Sequence, residues 1–317
     1  MGEPWYLYAG FIVFVIAMLL VDLKVGHSEE HEATTKEAAK WAVFWVGLGV
    51  AFGAVVWFWK GSEVAAEYYA GFLIEKALSV DNMFVFVLIF SYFKIPLKYQ
   101  HQVLFYGILG AMIFRGVFIA LGVALINNFE WIIYVFGAFL IYTAFKIARG
   151  TEEVHPEDNP ILKFAQKRIR TTTRLDGQKL FTIENGKRMA TPLFIVLLFI
   201  EITDIVFAID SIPAIFAITR DPFIILTSNV FAILGLRALY FLLAGFIERF
   251  HLLKYGLAVI LGFVGMKMLL LYWHIKVPIL WSLTFIVVVL AVTVYLSLKL
   301  PVHVDLDPND EHDRRLA

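Results

Sequence analysis

Two apolar stretches of this sequence carry carboxylates six residues apart: Glu75 and Asp81 in GFLIEKALSVDNMFVFVLIF, and Asp204 and Asp210 in LFIEITDIVFAIDSIPAIFAI, with Glu201 one turn before Asp204. An acidic residue at the centre of a membrane helix costs about 2.5–3.5 kcal/mol on insertion scales, so each needs a partner, a proton or a bound cation. Together with Asn82 these side chains offer hard oxygen ligands, with no thiolate and no intramembrane histidine near them. Such a set suits Mn²⁺, Ca²⁺ or Mg²⁺ better than Cu⁺ or a structural Zn²⁺, and does not choose among the three.

A spacing of six turns two side chains about 240° apart on a regular helix, so convergence on one site requires an irregular turn or two working faces. Pro213 supplies a reason for a break in the second stretch, where it would free carbonyls near Ile209. In the first stretch Ser79, Asp81 and Asn82 offer only side-chain competition for backbone bonds. The competing structural reading is that the acids pair with Arg115, Arg237, Lys76, Lys146 or Lys267 and hold a bundle together. Arg115 and Arg237 fall near the centres of their apolar segments, so ion pairing and cation binding are compatible.

The elements that must position these groups are set by composition. The 317 residues are 60% hydrophobic and 16% aromatic, against about 45–50% apolar in a soluble domain. With a mean hydropathy of +0.77, the chain reads as an all-α polytopic membrane protein. It has no cysteine, which excludes disulfides, thiolate metal sites and thiol redox chemistry by its own side chains. Segments of about 20 apolar residues fall at 5–24, 40–59, 68–93, 102–126, 130–149, 191–218, 223–247, 253–273 and 278–299, predicting nine transmembrane helices. The first follows Glu3 and not a basic cluster, and reads as a retained helix. Lys24, Lys36, Lys40, Lys94, Lys98, the basic stretch from Arg149 to Arg188, Arg249, Lys254, Lys299, Arg314 and Arg315 all gather on one side. The positive-inside rule then places the N-terminus outside and the C-terminus in the cytoplasm.

An internal repeat runs through the chain. Glu75, Asp81 and Asn82 match Asp204, Asp210 and Ser211 at one offset, and GILGAMIFR ending at Arg115 matches NVFAILGLR ending at Arg237. The stretch from Phe129 to Lys146 matches that from Phe250 to Lys267 in length and in both end residues. Each unit holds three helices, an odd number, so the two units would lie inverted across the bilayer, as in many secondary transporters. The predicted organisation is two N-terminal helices in 1–60, a first repeat in 68–149, a cytoplasmic linker in 150–190, a second repeat in 191–273, a ninth helix in 278–300 and a tail in 301–317. In the linker, Asn185-Gly186 between β-prone runs predicts a hairpin. The basic run at Lys167, Arg168 and Arg170 reads as a positive-inside anchor, with anionic lipid binding as the alternative. The loop 26–37 reads as an inner loop and the acidic end from Asp305 to Asp313 as disordered. His27, His31, His303 and His312 lie outside the spans, where solvated loops explain them as well as weak metal binding does.

The blocks GFLIEKALSVDNMFVF, FIEITDIVFAIDSIPAIFAIT and TSNVFAILGLRALYFLLAG resemble the signature regions of the TerC family of integral membrane proteins, and the whole chain is most similar to its Alx branch. The resemblance covers nearly the full length. It implies a LysE-like exporter architecture of inverted three-helix repeats, in a family implicated in manganese export, metal supply to exported enzymes, alkaline-pH response and tellurite resistance. It also implies that the family's acidic metal-site residues fall on Glu75, Asp81, Glu201 and Asp204, with Asp210 beside them.

The function expected is export of a divalent cation, Mn²⁺, across a bacterial inner membrane, the carboxylates losing protons to take the ion and regaining them on release. No enzymatic activity, tightly bound cofactor or nucleic-acid partner is expected. The alternative is a membrane scaffold that supplies metal to enzymes crossing the translocon, or a pH or metal stress modulator that transports nothing.

Overall fold

The computed structural model describes residues 3–26, 35–149, 169–184, 186–243, 250 and 252–300; within them the side chains of residues 22–26 and 35 and of Asp81 and Phe84 are not described. The loop around His27 and His31, most of the linker including Lys167 and Arg168, and the acidic tail with His303 and His312 lie outside the described residues.

A helix falls in each of the nine apolar segments, within the described residues. In chain order they are α1 (Trp5–Gly26), α2 (Thr35–Lys60), α3 (Ser62–Tyr92), α4 (Leu97–Asn128), α5 (Ile132–Ala148), α6 (Pro192–Phe216), α7 (Pro222–Ile233), α8 (Leu236–Leu243), α9 (Leu253–Leu270) and α10 (Ile279–Lys299). Among the described residues six helical segments are long and apolar enough to cross a membrane: Lys36–Lys60, Leu97–Asn128, Pro192–Phe216, Pro222–Leu243, Leu253–Trp273 and Ile279–Lys299. Trp5–Val21 and Ile132–Ala148 are shorter apolar helices.

Prolines punctuate the starts. Pro192 and Pro222 occupy the first helical turn, and Pro96 and Pro278 the position just before one, where a missing N–H has no intrahelical partner to lose. Asp221 caps α7, its carboxylate accepting from the Phe223 and Ile224 N–H groups at 2.9 and 3.4 Å. The same carboxylate and Glu3 each bind Lys60 Nζ at 2.6 Å, tying the ends of α2 and α7 to the chain start. Between α5 and α6, β1 (Phe181–Glu184) and β2 (Lys187–Ala190) pair antiparallel, with Phe181 opposite Ala190 and Glu184 opposite Lys187. Gly186, at φ +70°, supplies the left-handed residue of the turn.

Packing couples the two halves of the chain. The principal contacts join α3 to α7, α4 to α6 and α5 to α9. The α5–α9 seam is tight because Gly137 and Gly265 face each other: a Cβ on Gly265 would come within 2.7 Å of the Gly137 carbonyl oxygen. Small residues permit such close approach between membrane helices. Four apolar clusters surround the charged centre. One joins α3, α5, α9 and α10. A second joins α3, α4, α6 and α8. A third joins α1, α2, α3 and α7, and the fourth joins α4, α6 and α7.

Two expectations about helix breaks are corrected. Pro213 does not break α6, which runs on to Phe216. It sits in the last turn, where its ring deprives only the Ile209 carbonyl of its helical donor, a loss that membrane helices tolerate. The break falls instead in the segment expected as one helix over 223–247, where Leu234 turns extended (ψ 131°) and Gly235 left-handed (φ +81°), separating α7 from α8. Glycine is required at this point twice over, since a Cβ would also overlap the Trp45 side chain.

Candidate functional site

Asp204 lies twelve residues from either end of α6, which places it about 18 Å along the axis from each. Glu75 and Arg115 fall at comparable depth on α3 and α4. All three are buried, Glu75 completely, so the charges meet where solvation is least available.

The centre is built around Arg115. Its Nε and Nη2 donate to Asp204 Oδ2 and Oδ1 at 3.2 and 2.9 Å, a two-pronged grip on one carboxylate. Nη1 donates to Glu75 Oε1 and lies 3.3 Å from Ser211 Oγ. Asn229 on α7 donates from Nδ2 to the other Glu75 oxygen at 3.1 Å. Every oxygen of the two carboxylates is thus engaged, by groups from α4 and α7.

The remaining candidates are distributed. Asp210, on the next turns of α6, accepts from Thr143 Oγ1 of α5 at 3.1 Å. Glu201 shares the Asp204 face of α6 and packs against Gly110 of α4, where any side chain would overlap its carboxylate. Asn82 is buried on α3, and Arg237 is buried in the first turn of α8. Asp81 is on the unbroken α3, its side chain outside those described. Among the described residues no three histidine, aspartate or glutamate side chains gather as a metal-binding group. Buried oxygens without a hydrogen-bond partner among the described residues include Asn229 Oδ1, beside Glu75, and Glu201 Oε2 and Ser79 Oγ on the helices that carry the pair.

Asn229, Thr143 and Gly110 were missed by sequence reasoning. Asn229 stands inside a block noted for its repeat, and a fully buried amide in an apolar segment is itself a signal, since it must find a partner. Lys76 also has a role no spacing suggested. Its ammonium donates to the carbonyl oxygens of Ala232 (2.7 Å) and Leu234 (3.4 Å), closing the end of α7 where the helix breaks. Replacing Lys76 by Met is expected to cost about 1–3 kcal/mol through the orphaned carbonyls, and to speed hydrogen exchange locally around residues 234–239. Unchanged exchange there would show that the amine does not hold the break.

A cavity of about 20 Å³, enough for a water-sized group, opens beside Asp204. It is lined by Gly107 and Ala111 of α4, Met83 and Phe86 of α3, and Leu236 and Tyr240 of α8, among others. Ala111 and Gly107 lie about one and two turns along α4 from Arg115, on the same stripe. At its far end Tyr240 donates to Gln100 Oε1 at 2.9 Å, joining α8 to α4.

A helical, multi-pass integral membrane protein with a buried ion-pair centre is the class these features define. The chain belongs to the TerC family: the model described as integral membrane protein TerC family matches residues 60–301. It is 50% identical over 298 residues to the uncharacterized membrane protein STKORF319 of Myxococcus xanthus, covering 94% of this chain and 93% of that one. It is 47% identical over 300 residues to the proposed membrane-bound redox modulator Alx of Escherichia coli (strain K12), covering 91% and 93%. No solved structure matches the chain.

Proposed function

We propose that this chain is a secondary transporter that exports a divalent cation, Mn²⁺, from the cytoplasm of a bacterium through nine inner-membrane helices, with the N-terminus outside. The observation that carries the reading is the mid-depth placement of Glu75 and Asp204, from matching positions of the two repeat units, on either side of one arginine. Carboxylates in membrane segments are expensive unless a partner, a proton or a bound cation offsets them, and they commonly mark ion pathways.

The helix pairing supports two inverted units. Counting α3, α4 and α5 as one and α6, α7–α8 and α9 as the other, the first helix of each packs on the second of the other, and the third helices pack together. A two-fold relation gives that exchange of partners. The broken helix between α7 and α8 has the form expected beside a transport site, and rocking of one unit against the other would give alternating access. Glu75, Asp81, Asn82, Glu201, Asp204 and Asp210 are the ligands proposed for the ion over its cycle, with proton return as the coupling. The redox role in the Alx name is harder to carry here: with no cysteine, thiol exchange has no nucleophile in this chain.

Purified protein reconstituted into vesicles tests the reading. Wild type is expected to move Mn²⁺ down an imposed gradient, and Glu75→Gln and Asp204→Asn each to lower the flux at least about tenfold, the loss of one charged ligand. Undiminished flux in both variants would sink the carboxylate mechanism; absence of flux in wild type would sink transport itself.

A further inference from the structure

Arg115 poses a problem for any cation entering this centre. Its guanidinium directs all three nitrogens at the site, two onto Asp204 and one between Glu75 and Ser211, and Asn229 closes the last Glu75 oxygen. A divalent ion that takes oxygen ligands from Glu75 and Asp204 would stand within a few ångströms of a buried positive charge, where repulsion is poorly screened. Ion and guanidinium therefore compete for the same carboxylate oxygens.

We infer that Arg115 is a tethered competitor for the transported cation: it occupies the Glu75–Asp204 pair when the ion is absent and is displaced when the ion binds. The inference rests on the cation-transport reading and deepens it by assigning the group that resets the site. One further observation supports exchange over a permanent brace. Asn229, fully buried and already hydrogen-bonded to Glu75, keeps its Oδ1 without a hydrogen-bond partner among the described residues, an oxygen available to an incoming cation and of no use to a static Arg–carboxylate pair. The consequence is a carrier whose empty state stays charge-compensated at mid-depth, so that it can return without an ion.

The experiment measures Mn²⁺ binding to the purified full-length chain in detergent, by calorimetry and by the rise in melting temperature on adding Mn²⁺. Wild type, Arg115→Gln, Arg115→Lys and the double variant Glu75→Gln/Asp204→Asn are compared. With the competitor gone, Arg115→Gln is expected to bind Mn²⁺ at least about tenfold more tightly than wild type and to show the larger thermal shift. Arg115→Lys, a point charge that cannot fork onto both carboxylates, is expected between the two, and it decides the matter if the Gln variant does not fold. Mn²⁺ binding that is equal or weaker in both Arg115 variants, while the double variant loses it, would overturn the competitor role and leave the site standing. No Mn²⁺ binding by wild type or by either Arg115 variant would overturn the transport reading and this inference together.

Discussion

Arg115→Met is expected to lose about 3–5 kcal/mol of stability, the cost of leaving buried charge without its partner. Glu75 is wholly enclosed and Asp204 nearly so, and the methionine offers neither any donor to replace the three guanidinium nitrogens. Thermal unfolding in detergent, with a chelator present to exclude metal, measures the loss. Removing the charges as well, in the triple variant Arg115→Met/Glu75→Gln/Asp204→Asn, is expected to recover most of it, because a neutral, hydrogen-bonded cluster carries no unpaired ion into the interior. If the single variant melted within a degree or two of wild type, the carboxylates would have to be compensated by something other than Arg115. A triple variant no better than the single would show that packing, not charge, sets the loss.

Gly265→Val is the other large effect expected, about 3 kcal/mol at the upper end of overpacking costs. Even the first carbon of a side chain at residue 265 would approach the Gly137 carbonyl oxygen to 2.7 Å and the Ile141 nitrogen to 3.1 Å. Those are backbone atoms of α5, which cannot swing aside as a flexible side chain can, so the two helices must separate along their length. Loss of the α5–α9 seam should lower the melting temperature and abolish cross-linking between cysteines introduced on the two helices, a clean assay in a chain without cysteines of its own. By contrast Gly262→Ala is expected to be near neutral, since its Cβ would meet only Ala144 at ordinary contact distance, 3.6 Å.

The contrast between these glycines shows where sequence reading stops. All lie in similar apolar runs, and no pattern along the chain separates a residue that touches a carbonyl from one that touches a methyl group. The same limit explains the misplaced helix break. A proline is a visible breaker, so Pro213 drew attention, but it lies one turn from the end of α6 where little remains to be broken. Gly235 breaks its helix because Trp45 occupies the space where a side chain would be and Lys76 takes up the carbonyls, and both come from other helices.

Composition and hydropathy determined that this chain is a bundle of membrane helices, and located the helical segments with starts up to about six residues off and one break unseen, because burial of backbone in lipid leaves the helix as the economical form for an apolar run. Sequence alone also singled out Glu75, Asp204 and Arg115, since charge in such a run is conspicuous. Tertiary structure decided which of these meet. It brought α3, α4 and α6 together near their midpoints so that one guanidinium spans two carboxylates, sent Asp210 to Thr143 on a different helix, and set Asn229 against the second Glu75 oxygen. Charges separated by 40 and 89 residues find each other through the packing of whole helix faces, and that information is distributed over every apolar contact in the bundle.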